Sequence, residues 1–197
     1  MMEIVAAAVS LGWLQWLAVL FNVLYVIFAA REQIICWVFG LVGVTLLFFI
    51  YLEARLYSDT VLQVFYMVMS VYGWISWSKS KNDPVKIHVL RLKSHLGLIV
   101  LGIAGTLVLG FVFGAMGAVV PYIDAFTSSF AVVATYLVAK KVLENWIYWI
   151  VIDSVCVVVY YTRDLPLISL LFALYTILAV FGLRSWQIRY KLQTTAK

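Results

Sequence analysis

The chain has 197 residues, of which 65% are hydrophobic and only 12% charged, and its mean hydropathy is +1.05. Soluble domains carry roughly a quarter charged residues, so this composition excludes a soluble globular protein and describes a polytopic membrane protein. At about 20 residues per crossing there is room for seven or eight helices and no separate catalytic domain; the net charge of +5 belongs to loops, not to a nucleic-acid-binding face.

Taken in chain order, the apolar runs predict membrane spans at Leu11 to Ala30, Ile34 to Tyr51, Thr60 to Trp77, Leu96 to Val119, Tyr122 to Val138, Leu143 to Tyr161 and Leu165 to Leu183. Met1 to Ser10 lacks the basic region and small-residue cleavage site of a signal peptide, so the first span is expected to be retained. Cytoplasmic loops collect Lys and Arg. Arg31; Lys79, Lys81, Lys86, Arg91 and Lys93; Lys140 and Lys141; and Arg184, Arg189, Lys191 and Lys197 fall on one side, leaving only Arg55 and Arg163 on the other. The amino terminus is therefore expected outside and the carboxyl terminus in the cytoplasm of a bacterial inner membrane.

A single ungapped offset of 109 residues, the distance from Trp37 to Trp146, also pairs Tyr66 with Tyr175, Gly73 with Gly182, Trp77 with Trp186 and Arg31 with Lys140. Matches of this kind at one offset mark an internal repeat. An odd helix between two triplets leaves both in the same orientation. The predicted fold is thus all-α, with seven helices in a 3 + 1 + 3 plan, parallel repeats about an axis along the membrane normal, and a substrate path between them. Residues 1–78 form the first triplet, 79–120 a basic cytoplasmic loop and linker helix, and 121–197 the second triplet and tail. The linker helix carries Gly97, Gly102, Gly105, Gly110, Gly114 and Gly117, and Gly110-x-x-x-Gly114 has the spacing for close packing, within a protomer or between subunits.

The sixth helix holds the chemistry. Asn145, Trp149 and Asp153, spaced four apart, fall on one helix face about 12 Å long. An intramembrane carboxylate is costly unless it is paired or lines a wet cavity, so Asp153 either belongs to a site or pairs with a neighbouring helix. Trp146, Trp149 and Trp74 are candidates to stack on an aromatic substrate and attract a cation. Asn145, Gln63 and Tyr72 are candidates for oriented hydrogen bonds. Asp124 follows Pro121 at a helix start and is either a site residue or a complement to the helix N-terminus.

Several residues have plainer readings. Trp13, Trp16, Trp77 and Trp186 lie near span ends, where indoles anchor at the headgroups. Asn22 and Gln63 lie inside spans, where amides often hold helices together. Cys36 and Cys156 read as small hydrophobes with no disulfide framework. His88 and His95 have no Cys or carboxylate partners at metal spacing in the sequence, so no metal is expected. Neither a nucleophile and base pair nor a G-x-x-x-x-G-K-[ST] motif is present, which argues against an enzyme and against a pump hydrolysing ATP within this chain.

Three segments carry a resemblance: Tyr72-Gly73-Trp74-Ile75-Ser76-Trp77, Glu144-Asn145-Trp146-x-x-Trp149-x-x-x-Asp153, and Arg184-Ser185-Trp186. In order and spacing they resemble the Pnu-type vitamin transporters, and the resemblance covers nearly the whole chain. It implies a fold related to the SWEET sugar transporters, a homotrimer in the lipid bilayer, and no cofactor. It also implies uptake of a B vitamin by facilitated diffusion, with trapping by a cytoplasmic vitamin kinase. The nicotinamide riboside branch carries asparagines where this chain has Gly43, Ser70, Asp153 and Phe181. A site without those amides loses discrimination for ribose hydroxyls, and Asp153 adds a negative charge. Thiamine, a small aromatic cation, is therefore the expected substrate. Nicotinamide riboside is the alternative, as is a proton-coupled symporter in which Asp153 or Glu144 titrates.

Overall fold

The computed structural model describes residues 12–54, 57–78, 86–118 and 120–195. The amino-terminal segment through the predicted span start Leu11, Arg55, the basic-loop residues Lys79 and Lys81, the predicted span end Val119 and Lys197 lie outside the described residues. The described residues form seven helices: α1 (Trp13–Ala30), α2 (Cys36–Glu53), α3 (Tyr57–Ser78), α4 (Leu92–Ala115), α5 (Pro121–Ala139), α6 (Asn145–Thr162) and α7 (Pro166–Thr195). In an apolar solvent every backbone polar group must be satisfied within the segment, which is why apolar runs of this length become helices. Six of the seven are long and apolar enough to cross a membrane. The remaining one, α3, is just as long, but Asp59, Gln63 and Ser70 dilute its hydropathy.

The predicted spans appear in order, with one extension. Helix α7 does not stop at Leu183 but runs to Thr195. Hydropathy falls there, yet Arg, Gln, Lys and Leu are good helix formers, so the backbone continues past the end of the apolar run.

Helices α1 and α5 end in the same way, 109 residues apart. Glu32 (φ 55°) and Lys141 (φ 54°) adopt the left-handed conformation just past the helix ends. The amide of Gln33 donates to the Phe28 carbonyl at 2.9 Å and that of Val142 to the Leu137 carbonyl at 3.0 Å. These are Schellman-type closures, which satisfy carbonyls left open at a helix end. Helix α1 packs on α2 and α2 on α3; α5 packs on α6 and α6 on α7. Between the triplets, α1 meets α7 and α3 meets α5, while α4 lies against α5.

Four indoles join the triplets. Trp37 meets Trp77 edge to face (5.4 Å between centroids, 85°), and Trp146 meets Trp186 in the same way (5.5 Å, 87°). Trp77 and Trp186 are themselves 6.3 Å apart. Each inner indole donates across the triplet boundary, Trp77 Nε1 to the Ala139 carbonyl and Trp186 Nε1 to the Ala29 carbonyl, both at 3.1 Å. Gly73 and Gly182 make the close approach possible. A Cβ on Gly73 would collide with Trp37, and one on Gly182 would lie 2.7 Å from Trp146. Trp77 and Trp186 are therefore core residues rather than headgroup anchors, because the indole of each has a partner inside the protein. Trp13, 74% exposed, remains free to take the anchoring role.

Beside this cluster, Lys141 Nζ donates to Glu32 Oε2 at 3.0 Å and lies 4.7 Å from the centre of the Trp77 ring. Arg189 adds a more exposed contact to Glu32 Oε1 at 3.2 Å. The two left-handed corners are thus bound to each other through nearly buried side chains. Removing one partner of such a pair strands the other charge. Glu32→Gln is expected to lower stability in detergent by roughly 3 kcal/mol or more, measured by thermal unfolding, while Glu32→Leu combined with Lys141→Met recovers most of the loss.

Candidate functional site

Between the triplets lies a cavity of about 470 Å³, lined by α1, α2, α3, α5, α6 and α7 but not by α4. That volume is within the usual range for a small-molecule site. The lining repeats at the 109-residue offset: Trp37 and Trp146, Tyr51 and Tyr160, and Tyr66 and Tyr175 all face the cavity. At the end bounded by Trp37 and Trp146 the lining is almost fully buried, and the joined indoles and the Glu32–Lys141 pair lie close to it.

The chemistry within this symmetric frame is one-sided. Asp153 stands where the first triplet has Val44, and Trp149 where it has Gly40; all four line the cavity. Asp153 is 5% exposed, and among the described residues no cation pairs with it. Of the two readings open for this residue, the cavity-lining one describes its position. An unpaired carboxylate in a largely apolar chamber, beside an indole and several tyrosines, is complementary to an organic cation with an aromatic body.

Of the eight residues singled out from the sequence, Trp146, Trp149 and Asp153 come together in this cavity. The other five lie elsewhere. Asn145 is fully buried at the start of α6, where its Nδ2 donates to the Val142 carbonyl at 2.6 Å, so its four-residue spacing from Trp149 does not bring it to the cavity. Tyr72 packs against the tryptophan core, with the Lys140 ammonium 5.3 Å from its ring centre. The Tyr72 side chain beside this lysine raises its pKa above the ordinary value. Trp74 is partly exposed and lines a smaller recess with Trp37 and Ser70. Gln63 is buried and donates to the Asp59 carbonyl of its own helix at 3.4 Å. Asp124 accepts two bonds from Arg163, at 3.1 and 3.2 Å, which makes it part of a strut between α5 and the end of α6.

Sequence reading missed much of the lining. Tyr25, Tyr51, Tyr160, Thr135 and Asn22 were not picked out as site residues. A signal for some was present, since Tyr66 and Tyr175 already matched at the repeat offset, as do Tyr51 and Tyr160. The departures from the asparagine pattern also divide. Ser70 and Asp153 line the cavity, Gly43 lies beneath the Asn22 amide, and Phe181 is 60% exposed, away from it. Outside the cavity, folding gives His95 a carboxylate neighbour that the sequence did not reveal, with Glu144 Oε1 3.5 Å from Nε2 and the Tyr148 hydroxyl 3.1 Å from Nδ1.

Comparison with known proteins places this architecture. A family described as nicotinamide mononucleotide transporter matches residues 12–188. The nicotinamide riboside transporter PnuC of Escherichia coli (strain K12) is 28% identical, over 92% of this chain and 87% of that protein. The nicotinamide riboside transporter PnuC of Neisseria mucosa is 25% identical, over 89% and 72%. The riboflavin/roseoflavin transporter RibM of Streptomyces davaonensis is 24% identical, over 64% and 62%. Among solved structures, the crystal structure of the vitamin B3 transporter PnuC superposes with a TM-score of 0.75 at 23% identity, covering 91% of this chain and 82% of that one.

The placement of the two aspartates leads to a direct contrast. Asp153→Asn is expected to weaken binding of an aromatic cation about tenfold or more, as loss of a charged partner in a sheltered site does. Asp124→Asn is expected to leave affinity within about twofold, because that carboxylate is engaged with Arg163. Isothermal titration of the purified variants checks both.

Proposed function

The chain belongs to the nicotinamide mononucleotide transporter family, and on that premise we propose that it carries an aromatic B-vitamin cation across the bacterial inner membrane, nicotinamide riboside before thiamine. One observation carries this reading: Asp153, without a cationic partner among the described residues, shares the cavity with Trp146 and Trp149. Both vitamins carry a planar cationic ring that these indoles can stack on and the carboxylate can balance. Riboflavin is neutral and gives Asp153 no such role.

The order of the two candidates rests on what else lines the chamber. Asn22, Ser70, Thr135 and several tyrosines supply hydrogen-bonding groups for a ribose, so the missing asparagines do not leave the chamber without them. Two of the relatives are named for nicotinamide riboside, and none of those compared is named for thiamine. Thiamine keeps second place because Asp153 adds charge where the nicotinamide riboside branch carries an amide.

The same reading extends to mechanism. The triplets α1–α3 and α5–α7 act as parallel SWEET-like repeats joined by α4, with the amino terminus outside and the carboxyl terminus in the cytoplasm. The repeat-related corners, indoles and lining residues support this arrangement. Helix α4 presents an exposed apolar side, including Val100, Leu107 and Phe111, which suits lipid or the neighbouring protomers of a trimer. Transport is facilitated diffusion. Phosphorylation by a cytoplasmic vitamin kinase adds about two negative charges. The product is then repelled by Asp153 and held inside the cell.

In proteoliposomes, labelled nicotinamide riboside is expected to enter saturably and stop at equal concentration on both sides with no proton gradient. Unlabelled thiamine should compete and riboflavin should not. Accumulation driven by an imposed pH gradient would instead favour the symporter, and stronger competition by thiamine than by nicotinamide riboside would reverse the order of substrates.

A further inference from the structure

The first triplet has no counterpart to Asp153 or Trp149, but it contributes two amides to the cavity, those of Gln15 and Asn22 on α1, and neighbouring groups define the position of the Asn22 amide. An amide inside a span often joins helices by hydrogen-bonding across them. Asn22 does not: its Nδ2 donates at 2.8 Å to the Ala18 carbonyl, four residues back on its own helix. That bond fixes which end of the amide is which, and among the described residues no donor reaches Oδ1. The amide rests over Gly43 of α2. A Cβ there would lie 2.8 Å from Nδ2, 3.0 Å from Cγ and 3.1 Å from Oδ1, so any side chain at that position displaces the amide. The position related to Asn22 by the repeat is Ala131, so the second triplet has no equivalent amide.

We propose that Asn22 is a specificity-determining residue, whose Oδ1 accepts a hydrogen bond from a neutral donor on the substrate, a carboxamide or hydroxyl group, while Gly43 is the notch that holds the amide in position. The proposal rests on the vitamin-cation reading above and assigns the substrate's two chemical features to the two triplets. Asp153 takes the cationic ring, and Asn22 takes the polar substituent. A site with a fixed, otherwise unoccupied acceptor rejects analogues that lack the donor.

The test is a thermodynamic cycle on the full-length protein, titrated with nicotinamide riboside after thermal unfolding confirms that each variant is folded. Asn22→Ala and Gly43→Ala are each expected to weaken binding about tenfold, the scale of one hydrogen bond in a sheltered site. The double variant should bind like Asn22→Ala alone, since the group that a Cβ at position 43 would strike is then gone. Unchanged affinity in Asn22→Ala, or a further loss from Gly43→Ala in that background, overturns the proposal. If the unaltered protein binds the vitamin tightly and Asn22 is indifferent, only this assignment falls. If it binds neither nicotinamide riboside nor thiamine, the reading beneath it falls as well.

Discussion

The crossing of four indoles between two helix triplets is the constraint on which the rest of the structure depends. Trp77 and Trp186 each donate to a carbonyl of the opposite triplet, so neither triplet can slide past the other without losing a buried hydrogen bond. Such a bond is modest when formed but costly when its partners are left unpaired away from water. The outer pair, Trp37 and Trp146, packs edge to face against the inner pair and lines one end of the cavity. The contacts that hold the triplets together therefore also limit how deep the chamber runs.

The 109-residue offset recurs in the chamber lining without dictating what the chamber binds. Identical residues at the repeat offset, Tyr51 with Tyr160 and Tyr66 with Tyr175, give both halves the same aromatic frame. The halves differ in the chemistry they bring to the chamber. Asp153 replaces Val44, Trp149 replaces Gly40, and the Asn22 amide has only Ala131 opposite it in the repeat. A small asymmetric cation presents different chemistry at its two ends, and an asymmetric lining within a symmetric frame can distinguish them. The ion pairs divide in a related way. Glu32 and Lys141 join the two triplets beside the tryptophans, whereas Asp124 and Arg163 brace helices of the second triplet alone.

Much of this architecture was legible in the sequence because membrane helices obey simple rules. Each apolar run became a helix, six of the seven apolar enough to cross a membrane, and the repeat offset that pairs Trp37 with Trp146 also pairs the Glu32 and Lys141 corners. Of the cavity lining, the sequence singled out Trp146, Trp149 and Asp153, where indoles and a carboxylate break the aliphatic pattern. Asn145 misled because helix periodicity places residues on a face but does not say what each side chain meets; its amide turns back to the Val142 carbonyl, while Trp146, Trp149 and Asp153 of the same helix line the cavity. Trp77 and Trp186 misled because proximity to a span end fits both a headgroup anchor and a core contact, and only the glycines opposite the outer indoles make the core contact possible. Asp124 needed Arg163, thirty-nine positions away, before its role was clear. Pairings of that kind are properties of the fold.

The central claim is that the chamber holding Trp37, Trp146, Trp149 and Asp153 receives the vitamin. Tryptophan fluorescence of the purified protein, titrated separately with nicotinamide riboside and with thiamine, tests it most directly. Saturable quenching by nicotinamide riboside that is largely lost in Trp149→Phe is the predicted result. Fluorescence that responds to neither cation, or a response that Trp149→Phe leaves unchanged, would contradict it.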